Sequence, residues 1–459
     1  MALGSLAGAG TAAADGDDVH HQGGAVATLD GLKTYDSASI LDDYDRVPIS
    51  AGLFEMSVEG GGKLQSYCID IHNPTQRKAK YLETPWGQTS LAENKDAGKI
   101  LWILRNSYPQ VSDVNALAQK AGASKLSEKT AAAGTQVAIW RFSDKAKVEA
   151  NDPQAEKLAD WLEAQAQNLQ EPKTSLTLGP NSVSGKSGDK IGPVTVNTDA
   201  NSVSVAADAA ATAAGVKVTD KNGQPVTSAA NGTELYFDVP AGAEDGQASL
   251  TAKASTQVPV GRAFASPSKS QTQILAGSTE TSVAASASVN WAKKGAIPSV
   301  TAEKNCAKGG VDVKVSNAGD SPFEFELAGA KHTVAGGEST TVTVPVAEDA
   351  KYDINVTGPN GFSERFEGVL DCETQGTPAP GTPGGGGEAP SATPSPSVSG
   401  DTAETTTGET TGETTGGEDD LAATGGSSAT PMIAGVAAAL VIAGGAAVFF
   451  LRKKKTAGQ

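Results

Sequence analysis

The feature that most limits what this chain can become is a change of hydrophobic period near residue 172. Upstream, apolar residues recur at helical spacing. Lys99 to Tyr108 sets Ile100, Leu101 and Leu104 on one face, and Leu158, Trp161, Leu162 and Leu169 do the same further on. The second run follows Asp152-Pro153, where a capping carboxylate precedes a ring that fits only the first helical turn. Between Thr34 and Ile71, GLFEMSVEGGGKLQSYCIDI alternates polar and apolar residues around Met56 and Val58, which reads as short strands with glycine turns. With four of the five tryptophans (Trp86, Trp102, Trp140, Trp161) in this stretch, the pattern predicts a mixed α+β domain over 26–172.

Downstream the period is two. SLTL, VTVNT, VSVAA, VKVTD, ELYFDV and ASLTAKAS are separated by Gly, Asn, Asp and Pro, which predicts an antiparallel β-sandwich over 173–297. The Ala-rich run Ala206 to Ala214 is short and flanked by strands, so it is read with the sandwich rather than as a helix. VDVKVSN, FEFELAG, STTVTVPV and KYDINVTG predict a small Ig-like sandwich over 298–372. Cys306 near its start and Cys372 at its end predict a disulfide in an oxidising exterior, which would stabilise a small core by ~4 kcal/mol in the chain-entropy model; free thiols at both sites are the alternative.

Residues 373–420 change character again. TPAPGTPGGGG, SATPSPS and TTTGETTGETTGGE hold too little apolar area to offset chain entropy, so a disordered Pro/Thr/Gly/Glu linker is expected. Beyond it, Pro431 to Leu451 carries no charge and is long enough to cross a ~30 Å hydrocarbon core as a single C-terminal transmembrane helix. Arg452, Lys453, Lys454 and Lys455 follow it, the flank that the positive-inside bias keeps in the cytoplasm. At the other end, 1–25 reads as a disordered leader with a signal-peptide remnant whose true start precedes Met1; Thr11 to Ala14 offers small residues for a signal peptidase. The net charge of −17 argues against nucleic acid, whose phosphates need a basic face.

LAATG (Leu421, Ala422, Ala423, Thr424, Gly425), an apolar span and a basic tail occur in this order over 421–459. The arrangement resembles a Gram-positive cell-wall sorting signal of the LAxTG kind. The resemblance implies membrane insertion before sorting, cleavage by a sortase between Thr424 and Gly425, and joining of Thr424 to peptidoglycan. The protein is then extracellular and anchored in the cell wall.

With Cys306 and Cys372 paired, Cys68 is left over. A buried inert thiol is the plain reading. A cysteine hydrolase lacks a convincing base, because His20 and His21 fall in the leader, His332 in another module, and His72 stands without a supporting third group. A metal site lacks a second ligand cluster, and no cofactor is indicated. Nor does Gln136, an uncharged carboxamide at the head of the apolar run Val137-Ala138-Ile139-Trp140, explain itself; alone, it would simply hydrogen-bond backbone in a core.

YCIDI (Tyr67 to Ile71) and TQVAIW (Thr135 to Trp140), taken together, resemble the paired signatures of the Cys–Gln thioester (TQXA) domains of Gram-positive surface proteins. The resemblance spans the first domain and implies a crosslink between Cys68 and Gln136. It further implies a covalent adhesin whose thioester captures an amine, as on a lysine, of an unknown partner. Such a domain turns over once and is not an enzyme. The expected fold is therefore multidomain: a mixed α+β thioester domain, two all-β Ig-like sandwich modules, a disordered linker and a membrane helix. The alternative is a noncovalent cell-envelope binding or structural protein with a free, buried Cys68. A secreted hydrolase is a third reading.

Overall fold

The computed structural model describes residues 23–41 and 46–373. The linker beyond 373, LAATG, the apolar run and most of the leader lie outside the described residues. Among the described residues no helix is long and apolar enough to cross a membrane.

Five strands and four α-helices come from the first part of the chain. The first four strands are β1 (Val26–Leu41), β2 (Arg46–Val58), β3 (Lys63–Cys68) and β4 (Lys80–Thr84). Helices α1 (Ala97–Asn106), α2 (Val114–Ala121) and α3 (Glu128–Ser143) follow, then a short β5 (Val148–Ala150) and α4 (Pro153–Gln165). Asp152 caps α4 by accepting from the backbone N–H of Gln154 and Ala155, with Pro153 in the first turn, as its sequence predicts. Ser127 caps α3 with Thr130 reciprocating.

The second part supplies a sandwich and then returns. Its sheets are built from β6 (Leu176–Gly179), β7 (Ser182–Lys186), β8 (Lys190–Thr198), β9 (Val203–Ala207), β10 (Lys217–Thr219), β11 (Ser228–Ala229), β12 (Glu234–Asp238) and β13 (Gly246–Gln257). A short helix, α5 (Ala209–Ala214), sits between β9 and β10. The alanine run is thus partly helical after all: Asp208 caps it, Gly215 ends it in the left-handed region, and alanine has no competing preference. The chain continues through β14 (Ala263–Ala265), β15 (Gln273–Ser278) and β16 (Glu280–Ala292). One sheet has the order β10-β12-β8-β6 and the other β11-β9-β13-β16-β7, with β7 parallel to β16 rather than antiparallel as expected.

The expected boundary at 172 does not hold for β14 and β15. Both leave the sandwich and enter the first sheet, whose order is β2-β3-β15-β14-β4-β1-β5. Because β1 pairs with both β2 and β4, the pairings β1-β2-β3-β15-β14-β4 close into a ring of antiparallel strands. Without residues 263–278, β3 and β4 would each present an unpaired edge. The physical reason is packing: Phe264 and Ile274 are fully buried, and the first two parts of the chain share one contiguous hydrophobic core.

A buried charge cluster fastens this junction. Arg262, just before β14, donates from Nε to Glu83 at 2.9 Å and from Nη1 to Glu171 at 2.6 Å. Glu83, on β4, also accepts from the backbone N–H of Ala25 and Ser175 and from the Ser175 hydroxyl. Four segments of chain thus meet on one carboxylate.

The third unit is a separate sandwich with its own core, centred on Val313, Val315, Phe323, Phe325 and Val356. Its strands are β17 (Pro298–Asn305), β18 (Gly310–Asn317), β19 (Phe323–Leu327), β20 (Ala330–Val334), β21 (Ser339–Pro345), β22 (Lys351–Thr357) and β23 (Ser363–Val369), in sheets β17-β18-β21 and β20-β19-β22-β23. Cys306, just after β17, is disulfide-bonded to Cys372, which follows β23.

Arg262→Met is expected to destabilise the first transition in chemical denaturation by ~3–5 kcal/mol, because it leaves the Glu83 carboxylate buried without its cation. Lys293→Ala, which removes only an exposed pair with Glu244, should cost under ~1 kcal/mol. Equal small effects would mean the cluster does not hold the junction.

Candidate functional site

Cys68 ends β3 at a place where the sheet lacks a strand. On one side β15 runs alongside, with Gln273 opposite Cys68, and Ile69 donates its N–H to the Thr272 carbonyl at 3.1 Å. Strand alternation then points the N–H and C=O of Cys68 the other way. On that side β2 stops pairing at Phe54–Ser66, so no strand reaches Cys68.

Helix α3 fills the gap, packing on β1, β2 and β3. Gln136 Oε1 accepts from the Cys68 N–H at 3.1 Å and Gln136 Nε2 donates to the Cys68 carbonyl at 2.9 Å. A carboxamide thereby stands in for the N–H and C=O of a residue on a neighbouring strand. The same contact places Cys68 Sγ 3.5 Å from Gln136 Oε1. Both residues are buried, Cys68 at 2% exposure and Gln136 at 0%. The structure thus brings the two sequence-predicted residues together from 68 positions apart.

The helix approaches this closely because its inner face is small. Ala131, Ala132 and Ala133 are fully buried, and a Cβ on Gly134 would lie 2.4 Å from the Ala155 carbonyl oxygen of α4. Thr135 satisfies its hydroxyl within the helix, on the Ala131 carbonyl at 2.8 Å.

Positions 136, 140 and 144 share one helical face. Trp140 Nε1 donates to Cys68 Sγ at 3.2 Å. Asp144, the C-cap of α3, accepts from the Ile71 N–H at 2.9 Å and from the Ser143 hydroxyl at 2.6 Å. Asp70 accepts from the N–H of His72 and Asn73 and from the Asn73 side chain. From the third unit, Asp371 accepts from the Thr272 hydroxyl at 2.7 Å. Three carboxyl groups from three elements therefore gather on the segment that follows Cys68.

Their proton affinities follow from burial. Asp70 is pushed up from 3.8 to about 7 by desolvation and then by the Asp371 charge, against the hydrogen bonds of Asn73. Asp144 is pushed well up by burial and by Asp70, and Asp371 up by burial. The Cys68 thiol is likewise pushed well up, by burial first and the Asp144 charge second, with the Trp140 hydrogen bond opposing. His72 is held below its usual value by burial, and among the described residues no hydrogen bond joins its ring to Cys68.

Chemically, this arrangement offers a sulfur and an amide carbonyl in contact. The carbonyl oxygen already receives an N–H, the sulfur receives an indole N–H, and buried carboxyls with raised proton affinity stand nearby as acceptors for the thiol proton. Sequence reasoning named Cys68 and Gln136 and missed the rest. Trp140 and Asp144 were legible as i+4 and i+8 from Gln136 in TQVAIWRFSD, whereas nothing local marks Gln273, Thr272 or Asp371. Beside them, Gln271 Oε1 and Asp371 Oδ1 are buried without a hydrogen-bond partner among the described residues.

Residues 65–168 match the family model described as the thioester domain, and residues 298–369 match that of the bacterial phospholipase C, C-terminal domain. The thioester-domain match includes Cys68 and Gln136 and stops well short of β14 and β15. No curated protein matches the chain. Among solved structures it is similar to the Bacillus anthracis TIE protein, at 15% identity and a TM-score of 0.27, over 76% of this chain and 81% of that one. It is also similar to the thioester domain of the Enterococcus faecium TIE86 protein, at 14% identity and a TM-score of 0.28, over 59% of this chain and 97% of that one.

The carboxyl cluster sets a pH dependence. The folded chain holds the Asp70 proton up to about pH 7, whereas the unfolded chain releases it near pH 3.8, so stability falls as pH rises through that window. Asp144 and Asp371 act in the same direction. The melting temperature of the full chain is expected to drop between pH 4 and pH 8, and less steeply in Asp70→Asn. A wild-type melting temperature that rises across this range, or an unchanged slope in the variant, would contradict the assignment.

Proposed function

We propose that this chain is a wall-anchored surface protein that captures a partner covalently through an internal thioester between Cys68 and Gln136. The observation that carries the reading is the double hydrogen bond between the Gln136 carboxamide and the Cys68 backbone, with Sγ against the carbonyl. Held so, the thiol and the amide have an effective concentration that no solution reaches, on the order of 10⁵ M or more for a near-attack geometry.

The steps follow from the contacts. The thiol proton passes to a neighbouring carboxylate and Sγ attacks Cδ of Gln136. Negative charge on Oε1 meets the Cys68 N–H. The C–N bond breaks, and the nitrogen takes up a proton and leaves as ammonia. Burial then shields the thioester from water. An amine that reaches Cδ reverses the sequence, leaving an amide on Gln136 and a free Cys68. A lysine suits the site because it carries its nitrogen at the end of a slim apolar stem. Because the same burial keeps the released sulfur as a thiol rather than a thiolate, the freed Cys68 is a poor nucleophile and the amide persists.

The chain is spent by one capture, so we assign it as an adhesin rather than an enzyme. The LAATG motif, Leu421 to Gly425, supports attachment of Thr424 to peptidoglycan by a sortase, with the thioester domain held outward on the linker. The third unit then serves as a spacer between the linker and the reactive domain.

Intact-mass measurement of the purified chain should give a value one ammonia below that calculated, with the full mass in Cys68→Ala and in Gln136→Ala. Methylamine should add to the wild type, with the adduct on Gln136. A wild-type chain at full mass whose Cys68 is free to alkylation would instead favour the noncovalent alternative. Trp140→Phe removes the donor to the departing sulfur and should slow methylamine uptake by roughly tenfold to a hundredfold. An unchanged rate would show that the indole only fills space.

A further inference from the structure

Of the two hydrogen bonds that hold Gln136 on Cys68, one belongs to the atom that departs. Nε2 donates to the Cys68 carbonyl at 2.9 Å, and Nε2 is the nitrogen lost as ammonia when the thioester forms. The carbonyl oxygen itself is fixed. It belongs to the last residue of β3, points away from β15, and faces α3 where no strand of the sheet reaches.

We propose that the Cys68 backbone carbonyl is the docking point for the incoming nucleophile, and that it selects nitrogens which still carry a hydrogen in the tetrahedral adduct after giving one up. This rests on the thioester reading above. Formation and opening of the thioester are the same reaction run in opposite directions. The attacking nitrogen therefore arrives on the line along which ammonia left, between Cδ of Gln136 and the Cys68 oxygen. One of its N–H groups donates to that oxygen and so turns the lone pair toward Cδ.

The atoms balance as follows. The amine lone pair forms the new C–N bond while the carbonyl π pair moves to Oε1, held by the Cys68 N–H. The oxyanion then re-forms the carbonyl and the Cδ–Sγ bond breaks, its electron pair passing to Sγ, which faces the Trp140 N–H. The nitrogen gives up one proton and the sulfur ends as a thiol. A primary amine needs two hydrogens for this, one to lose and one to keep on the Cys68 carbonyl. In the tetrahedral adduct, where the nitrogen is free to turn, a primary amine that has lost one hydrogen still holds the other on the Cys68 carbonyl. A secondary amine has only one hydrogen, and once it is lost its adduct leaves the carbonyl buried without a donor. A hydroxyl gives an ester with the same defect. Leaving a buried acceptor unmade slows such reactions by roughly tenfold to a hundredfold.

Ethylamine and dimethylamine test this, being isomers of nearly equal basicity. Their rates of addition to the full chain would be followed by intact mass and compared with their rates on a small acyl-cysteine thioester in the same buffer. The protein is expected to prefer ethylamine by at least roughly tenfold beyond the ratio on the small thioester. Propylamine, bulkier but primary, should still outpace dimethylamine. Equal ratios on protein and small thioester overturn the assignment, and so does propylamine slowing to the level of dimethylamine, which would make bulk the selector. A chain at full mass that takes up none of the three overturns the thioester reading itself, and this assignment with it.

Discussion

The peptide group of Cys68 has no strand beside it on the α3 side, and a buried N–H and C=O must find partners. Gln136 satisfies both at once, because one edge of a carboxamide carries an acceptor and a donor side by side, as the N–H and C=O of a residue on a neighbouring strand would. Asn would be one methylene shorter, Glu would lack the donor, and an apolar residue would leave both groups unmade. The requirement is structural, yet satisfying it brings an acyl carbon against a thiol. On the proposed function, reactivity is a by-product of solving a hydrogen-bonding problem at the end of a strand. That explains why so polar a residue is fully buried at the head of an apolar run.

Keeping the helix close enough requires agreement from elsewhere. Gly134 lets α4 touch α3, and the buried alanines before it let α3 lie on the sheet. The strand on the other flank of Cys68 comes from residue 273, beyond all but the last strand of the sandwich. The first two parts of the chain are therefore one folding problem: the sandwich cannot be removed without also removing β14 and β15 from the ring, and the Arg262–Glu83 cluster sits at the crossing. The third unit reaches the same neighbourhood through Asp371 on Thr272, one residue from the partner of Cys68.

The legibility of all this divides by range. Local signals were sound: the Asp152-Pro153 helix start, the alternation of the sandwich strands, and the pairing of Cys306 with Cys372 all read directly from neighbouring residues. Cys68 and Gln136 were legible by resemblance, not by geometry. The return of β14 and β15 was not legible, because AFA and QILAGS look like any short strands and their partners are set by a core shared across some 200 residues, a distance periodicity does not encode. The parallel pairing of β7 with β16 was hidden for the same reason. The helix α5 was misread because strand neighbours outweighed an Asp cap and a terminal Gly that were both visible.

Burial gives the site a second asymmetry. A thiol with raised proton affinity is a reluctant nucleophile, so on the proposed function forming the thioester is slowed by the same desolvation that protects it. Asp70 and Asp144 ease that step only while they hold no proton, and burial raises their affinity too. On the proposed function this balance suits a device used once. Formation has the whole lifetime of the molecule in which to occur, so a slow forward step is tolerable. After capture the sulfur is again a buried thiol facing an amide, and the barrier that made formation slow now opposes release. The bond to the partner is kept by the same low dielectric that delayed its precursor.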